Sequence, residues 1–197
     1  MMRRRRNYQA TYQYNNTEPV AGNYYPVNTR IFIKDNATQF TVLTDRSQGG
    51  SSLKNGAVEL MVHRRLFEDD GYGVGEALNE PGVDGRGLVV RGKHWVVMSD
   101  VDKAPALHRT LAMDLFHQPI LSFAPTHLSP SSYRQQFRTT FAGLNRSLPT
   151  NVHLFTLQQW HAGRILLRLE HIFQKGEDSK WSKPVTVSLK ASLQTHA

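Results

Sequence analysis

Cysteine is absent from this chain, which excludes a disulfide framework and any thiolate metal site. That count alone does not decide the compartment. Long apolar runs are also missing. Nothing approaches the roughly 18–20 consecutive apolar residues that a membrane-spanning helix requires, so no membrane partner is expected. Acidic residues are in the minority, 16 against 24 Lys and Arg, for a net charge of +8. Arg3, Arg4, Arg5 and Arg6 supply four of those charges and leave +4 on the other 193 residues. The remaining basic residues are scattered among acids, without the stripe of cations and stacking aromatics that a single-strand binder needs. No nucleic-acid partner is therefore expected, and the arginine run reads as a solvated tail or strand edge. Binding through that tail would instead fall steeply with salt and vanish when the four arginines are deleted.

What is present suits a soluble globular protein. Hydrophobic residues make up 39% and charged residues 20% of 197, enough for one domain with a sizeable core. Residues 1–22 are polar and Asn-rich and read as an extended N-terminal segment ahead of a domain over 23–197. Residues 29–34 alternate, Ile31 and Ile33 facing one way and Arg30, Phe32 and Lys34 the other. Residues 39–44 form a second β-branched run, and Asp35-Asn36-Ala37 between them carries turn chemistry, so the pair reads as a hairpin. A third strand over 57–63 follows the Asn55-Gly56 turn signal, with Val58, Leu60 and Val62 on one face. The glycine-rich interval 71–87 suits no regular element. Further strands are expected at 88–91, 94–98, 120–124, 152–159, 164–173 and 185–189. The spacing of Leu107, Leu111 and Leu115 predicts a helix over 102–116, with Asp102 as its cap and Pro105 in its first turn. Residues 125–149 read as a long surface loop. Many strands, few helices and frequent turns indicate an all-β chain of sandwich type.

Motifs for chemistry are sparse. The nine histidines show no metal-ligand spacing and there is no His-Glu-x-x-His, so no metal is expected on this chain. Gly71-x-Gly73-x-Gly75 follows neither the dinucleotide nor the Walker spacing, and no Gly-x-Ser-x-Gly surrounds a serine. Asp69 and Asp70 are the one obvious carboxylate pair. Retaining glycosidases need two carboxyl groups about 5–5.5 Å apart across the scissile bond, one of them protonated; adjacent residues in a polar glycine loop are poorly placed for that division of labour. No catalytic residue is therefore assigned. Gly49-Gly50-Ser51-Ser52, after Thr44-Asp45-Arg46, reads as a structural turn in which paired glycines adopt positive φ or let the backbone approach another group, with a ligand loop as the alternative. Three sequons occur, at Asn15, Asn36 and Asn145, of which Asn36 lies in an expected turn and Asn145 near a loop end.

Several blocks in order carry a family resemblance: Asn23-Tyr24-Tyr25-Pro26, then Thr44-Asp45-Arg46-Ser47-Gln48-Gly49-Gly50-Ser51-Ser52-Leu53, then His63-Arg64-Arg65-Leu66. Leu167-Arg168-Leu169-Glu170-His171 and Gly176-Glu177-Asp178-Ser179 continue the series. Together they resemble the C-terminal half of the lysosomal-type α-mannosidases of glycoside hydrolase family 38, most clearly over 16–98 and again over 148–185. The resemblance implies a galactose-mutarotase-like β-sandwich with at most one or two short helices. It implies the non-catalytic part of a zinc-dependent retaining enzyme that removes α-linked mannose from glycoprotein oligosaccharides. The zinc and nucleophile would lie in a separate N-terminal domain, which would be this chain's partner together with the mannose-containing oligosaccharide. It further implies a substrate-pocket rim of Asp69, Asp70, Tyr72, Asp45 and Arg46; many members have arginine where Tyr72 stands. A lysosomal or secretory lumen would be the location. Met1-Met2-Arg3-Arg4-Arg5-Arg6 has no apolar segment after it and does not read as a secretory signal, so a truncated gene model or an internal fragment is expected. A stand-alone carbohydrate-binding or interaction module derived from such an enzyme is the alternative.

Overall fold

The computed structural model describes residues 5–189; Arg3 and Arg4 of the arginine run and the last eight residues lie outside them. The chain divides after Phe116 into two compact units. Its class is all-β: eight strands in three antiparallel sheets, with two short α-helices, among the described residues.

The first unit holds two of the sheets. Strands β2 (Arg30–Lys34) and β3 (Thr38–Thr44) form the expected hairpin, with Phe32 opposite Thr41 and Ile31 opposite Val42. Asp35 closes the turn, its Oδ1 accepting the Ala37 and Thr38 amides at 2.7 Å each. Strand β6 (His94–Asp100) pairs with the other edge of β3, placing Val97 opposite Thr41 and Met98 opposite Phe40. Because side chains alternate across a strand, this sheet has two unlike faces. Helix α1 (Ala104–Phe116) covers the face of Phe32, Thr41, Leu43 and Val97. The Phe32 and His108 rings stack at 6.0 Å, and Ala104, His108 and Ala112 are the buried helical stripe. That stripe lies one position round from the expected Leu107, Leu111, Leu115 series, and Leu107 is largely exposed. Small alanines let the helix sit close to the sheet where leucines would hold it off. The helix begins at Ala104, so Asp102 lies in the preceding turn. The other face presents Ile31, Ile33, Phe40, Val42, Val96 and Met98, and its edge is open: Val96 is 62% and Met98 73% exposed.

The second sheet orders β1 (Tyr25–Val27), β4 (Gln48–Ser51) and β5 (Glu59–Met61). Here the reading of Gly49-Gly50 as a turn is corrected: both glycines lie in the central strand, Gly50 opposite Tyr25 and Leu60. Their role is close approach. A Cβ on Gly50 would stand 2.6 Å from Val27 Cγ2, and one on Gly49 3.0 Å from the Tyr24 ring. The Asn55-Gly56 turn is found where expected, with Gly56 at φ +74. The Asn-rich N-terminal segment folds onto this sheet through Asn23. Its buried side chain accepts from the Asn7 amide at 2.9 Å and donates to Asn7 Oδ1 and Pro19 O, while Ser51 Oγ donates to its carbonyl. Arg6 donates to Leu53 O and to Asn55 Oδ1.

The second unit is built on the hairpin β7 (Val152–His161) and β8 (Arg164–His171), with a bulge between Leu154 and Thr156. Buried Asn151 sits at its base and donates to the carbonyls of Trp181 and Lys183, each at 3.2 Å. The segment that carries the Gly176-to-Ser179 block is thereby tied to the hairpin. Within the expected loop 125–149 lies helix α2 (Pro130–Gln136), capped by Ser129 Oγ and started by Pro130, a Ser-Pro signal readable in the sequence. Residues 88–91, 120–124 and 185–189 do not form the expected strands. Ile120 and Phe123 are 97% and 94% exposed; an apolar run becomes a strand only where a neighbour supplies its hydrogen bonds and a surface to pack on.

Candidate functional site

The expected rim residues fall in two separate places of the first unit. Asp45 and Arg46 follow β3. Arg46 donates from Nε and Nη2 to the two Asp45 oxygens, both at 2.9 Å, and Nη2 also reaches the Arg91 carbonyl at 2.6 Å. Asp45 Oδ2 accepts the Lys93 amide at 2.9 Å, and the Asp45 amide donates back to Lys93 O at 3.3 Å. The pair thus clamps the 91–93 turn that feeds β6, and holds Thr44 opposite His94 at the end of the β3–β6 ladder. The Arg46 guanidinium draws the Asp45 carboxyl down to about 2, and the same contact raises Arg46. A carboxylate so acidic stays ionised at any physiological pH and cannot act as a general acid. Beside the clamp is a cavity of about 180 Å³, lined by Asn28, Thr29, Thr44, Asp45, Arg46 and Phe116 among others, below the roughly 300 Å³ at which ligand pockets begin.

Asp69, Asp70 and Tyr72 lie in the open loop after β5. Each carboxylate accepts an amide two residues on, Asp69 from Gly71 at 2.6 Å and Asp70 from Tyr72 at 3.0 Å. Gly71 is at φ +71, and Tyr72 is 94% exposed. Upstream, Arg65 reaches Asn79 Oδ1 at 2.7 Å and lies over the Phe67 ring at 5.1 Å. Among the described residues no hydrogen bond or ion pair joins this loop to Asp45 or Arg46. Each group is therefore held by its own local contacts, Asp45 and Arg46 by the 91–93 segment and the Asp69 and Asp70 carboxylates by amides of their own loop.

Sequence reasoning missed one polar pair: Tyr24 donates its hydroxyl to Glu59 Oε1 across the β1-β4-β5 sheet, over Gly49. That hydrogen bond to a carboxylate, aided by burial, raises the Tyr24 phenol to about 12. The only prior signal was the glycine, which leaves room for a ring. In the second unit His153 contacts Glu170 at 3.0 Å, opposite it in the ladder, and stands 4.7 Å from the His117 ring. Among the described residues no group of three His, Asp or Glu is placed to hold a metal ion. The three sequon asparagines Asn15, Asn36 and Asn145 are all exposed.

The β-rich scaffold agrees with the family model that matches the start of the chain. Residues 1–72 match the model of the Glycosyl hydrolases family 38 C-terminal domain. Over nearly its whole length the chain is similar to lysosomal α-mannosidases. It is 51% identical to the human protein over 197 residues, 99% of this chain and 19% of the relative. Against the Felis catus protein it is 53% identical over 190 residues, covering 96% and 19%. An α-mannosidase of Canavalia ensiformis is 36% identical over 199 residues, covering 98% and 20%. The chain therefore spans about a fifth of the length of the curated relatives it matches.

Proposed function

We propose that this chain is a non-catalytic β part of a zinc-dependent, retaining α-mannosidase that removes α-linked mannose from glycoprotein oligosaccharides in a lysosomal or secretory lumen. Its task is to buttress the catalytic domain and contribute the Asp69–Asp70–Tyr72 loop and the Asp45–Arg46 pair to the rim of the substrate pocket. One observation supports this above the others: on the face of Ile31, Ile33, Phe40, Val42, Val96 and Met98 the centre, Val42, is buried, while Val96 and Met98 on the edge strand β6 are 62% and 73% exposed. Large apolar side chains set together at a sheet edge are what an interface covers. The zinc and the nucleophile belong to the catalytic domain, and this chain's residues position that domain without taking part in bond breaking.

The test is hydrolysis of an aryl α-mannoside by the purified chain, alone and mixed with a family catalytic domain. No turnover alone is expected, together with binding between the two. Turnover by the chain alone would sink the proposal. A soluble monomer that binds mannosides unaided and ignores the catalytic domain would replace it with the stand-alone module.

A further inference from the structure

The three sequons sit in unlike surroundings. Asn145, near the end of a long loop, has contacts of its own. Asn15 adjoins Asn16, whose side chain is bound to Asn7, Tyr14 and the Glu18 amide. Asn36 occupies the tip of the β2–β3 hairpin, between the last residue pair of the ladder, Lys34 and Gln39. The turn is held entirely by its neighbours: Asp35 Oδ1 takes the Ala37 and Thr38 amides, Asp35 N donates to Thr38 O, and Ala37 O accepts from Val101 N at 2.8 Å. The Asn36 amide group enters none of these bonds and is exposed. No hydrogen bond of the turn uses its Nδ2, and the backbone on either side is held by the Asp35 and Ala37 bonds.

We propose that Asn36 carries an N-linked glycan. The inference rests on the luminal location proposed above, since the modification occurs only on chains that enter the secretory pathway. Its chemistry is amide glycosylation of the Asn36-Ala37-Thr38 sequon: an N-glycosidic bond forms at Nδ2, the amide gives up one proton, and the lipid pyrophosphate of the oligosaccharide donor leaves. A bulky, solvated sugar at this tip keeps the hairpin end of the β2-β3-β6 sheet facing water. The Ile33, Phe40 and Met98 rung lies next to that end, and the Ile31, Val42 and Val96 rung one step further away. A domain covering the apolar face must then approach from the Val96 side.

The test uses the native protein recovered from its own cells. Trypsin releases residues 35–46, a peptide with one sequon, and amidase deglycosylation in heavy-oxygen water marks any asparagine that bore a glycan. Labelled Asp at position 36 is the expected result. Asn36→Gln should remove one glycan's worth of gel mobility and leave the unfolding midpoint of the deglycosylated protein unchanged. Unmodified 35–46 alongside a labelled Asn15 or Asn145 would overturn the assignment and leave the luminal reading standing. No glycan at any of the three would overturn the luminal reading, and the Asn36 assignment with it.

Discussion

Asp45 shows how a carboxylate that reads as part of a ligand loop is engaged by its own chain. Its two oxygens take Arg46 and the Lys93 amide, a contact across 48 positions that no local pattern announces. The carboxyl is held at about 2 against an ordinary 3.8. A depressed carboxylate stabilises the fold above its unfolded value and loses that contribution as pH falls through its folded value. The clamp should therefore be intact at and above pH 5 and weaken between about pH 4 and 2. Asp45→Asn is expected to lower the urea midpoint at pH 6, and the gap to wild type should close as pH approaches 2. A gap that stayed constant across that range would show that the charge of Asp45 does not matter. Tyr72 poses the complementary case. Its phenol offers one hydroxyl and an aromatic face, and the fold leaves it exposed in an open loop.

At the scale of elements, alternation and turn chemistry located β2, β3 and β6, because each signal is local: Ile31 and Ile33 opposite Phe32, Asp35 in the turn, Asn55-Gly56 ahead of β5. Helix α1 was legible too, but not which stripe it buries, since that depends on how closely the sheet lets it approach. β4 is the instructive failure. Its glycines suggest a turn, and only the arrival of β1 and β5 on either side makes Gln48–Ser51 a central strand. Gly50→Ala forces its Cβ against Val27, Leu60 and the Glu59 carbonyl. A loss of about 1–3 kcal/mol, the usual cost of overpacking, is expected from urea unfolding. Gly73→Ala, which meets nothing within 4 Å, should change stability by less than about 1 kcal/mol. Equal effects of the two would remove the close-approach explanation.

At the scale of the whole molecule, the exposed Val96 and Met98 side chains of β6 are where the proposed interface can be tested. The pair Val96→Thr and Met98→Gln removes apolar surface from water without disturbing the α1 side. The double variant should stay monomeric in sedimentation velocity at concentrations where the parent self-associates, with stability altered by no more than about 0.5 kcal/mol. It should also bind a family 38 catalytic domain more weakly. A parent chain that is already monodisperse would count against the face as an interface. The sequence by itself determined the all-β class, the β2–β3 hairpin and the family likeness, because composition, period-2 alternation and ordered motif blocks are properties of neighbouring residues. Only the tertiary structure decided which strands find partners and that the Asp45–Arg46 pair closes on the segment before β6. Those outcomes depend on contacts between distant segments, and no local preference of a residue encodes where its partner will arrive.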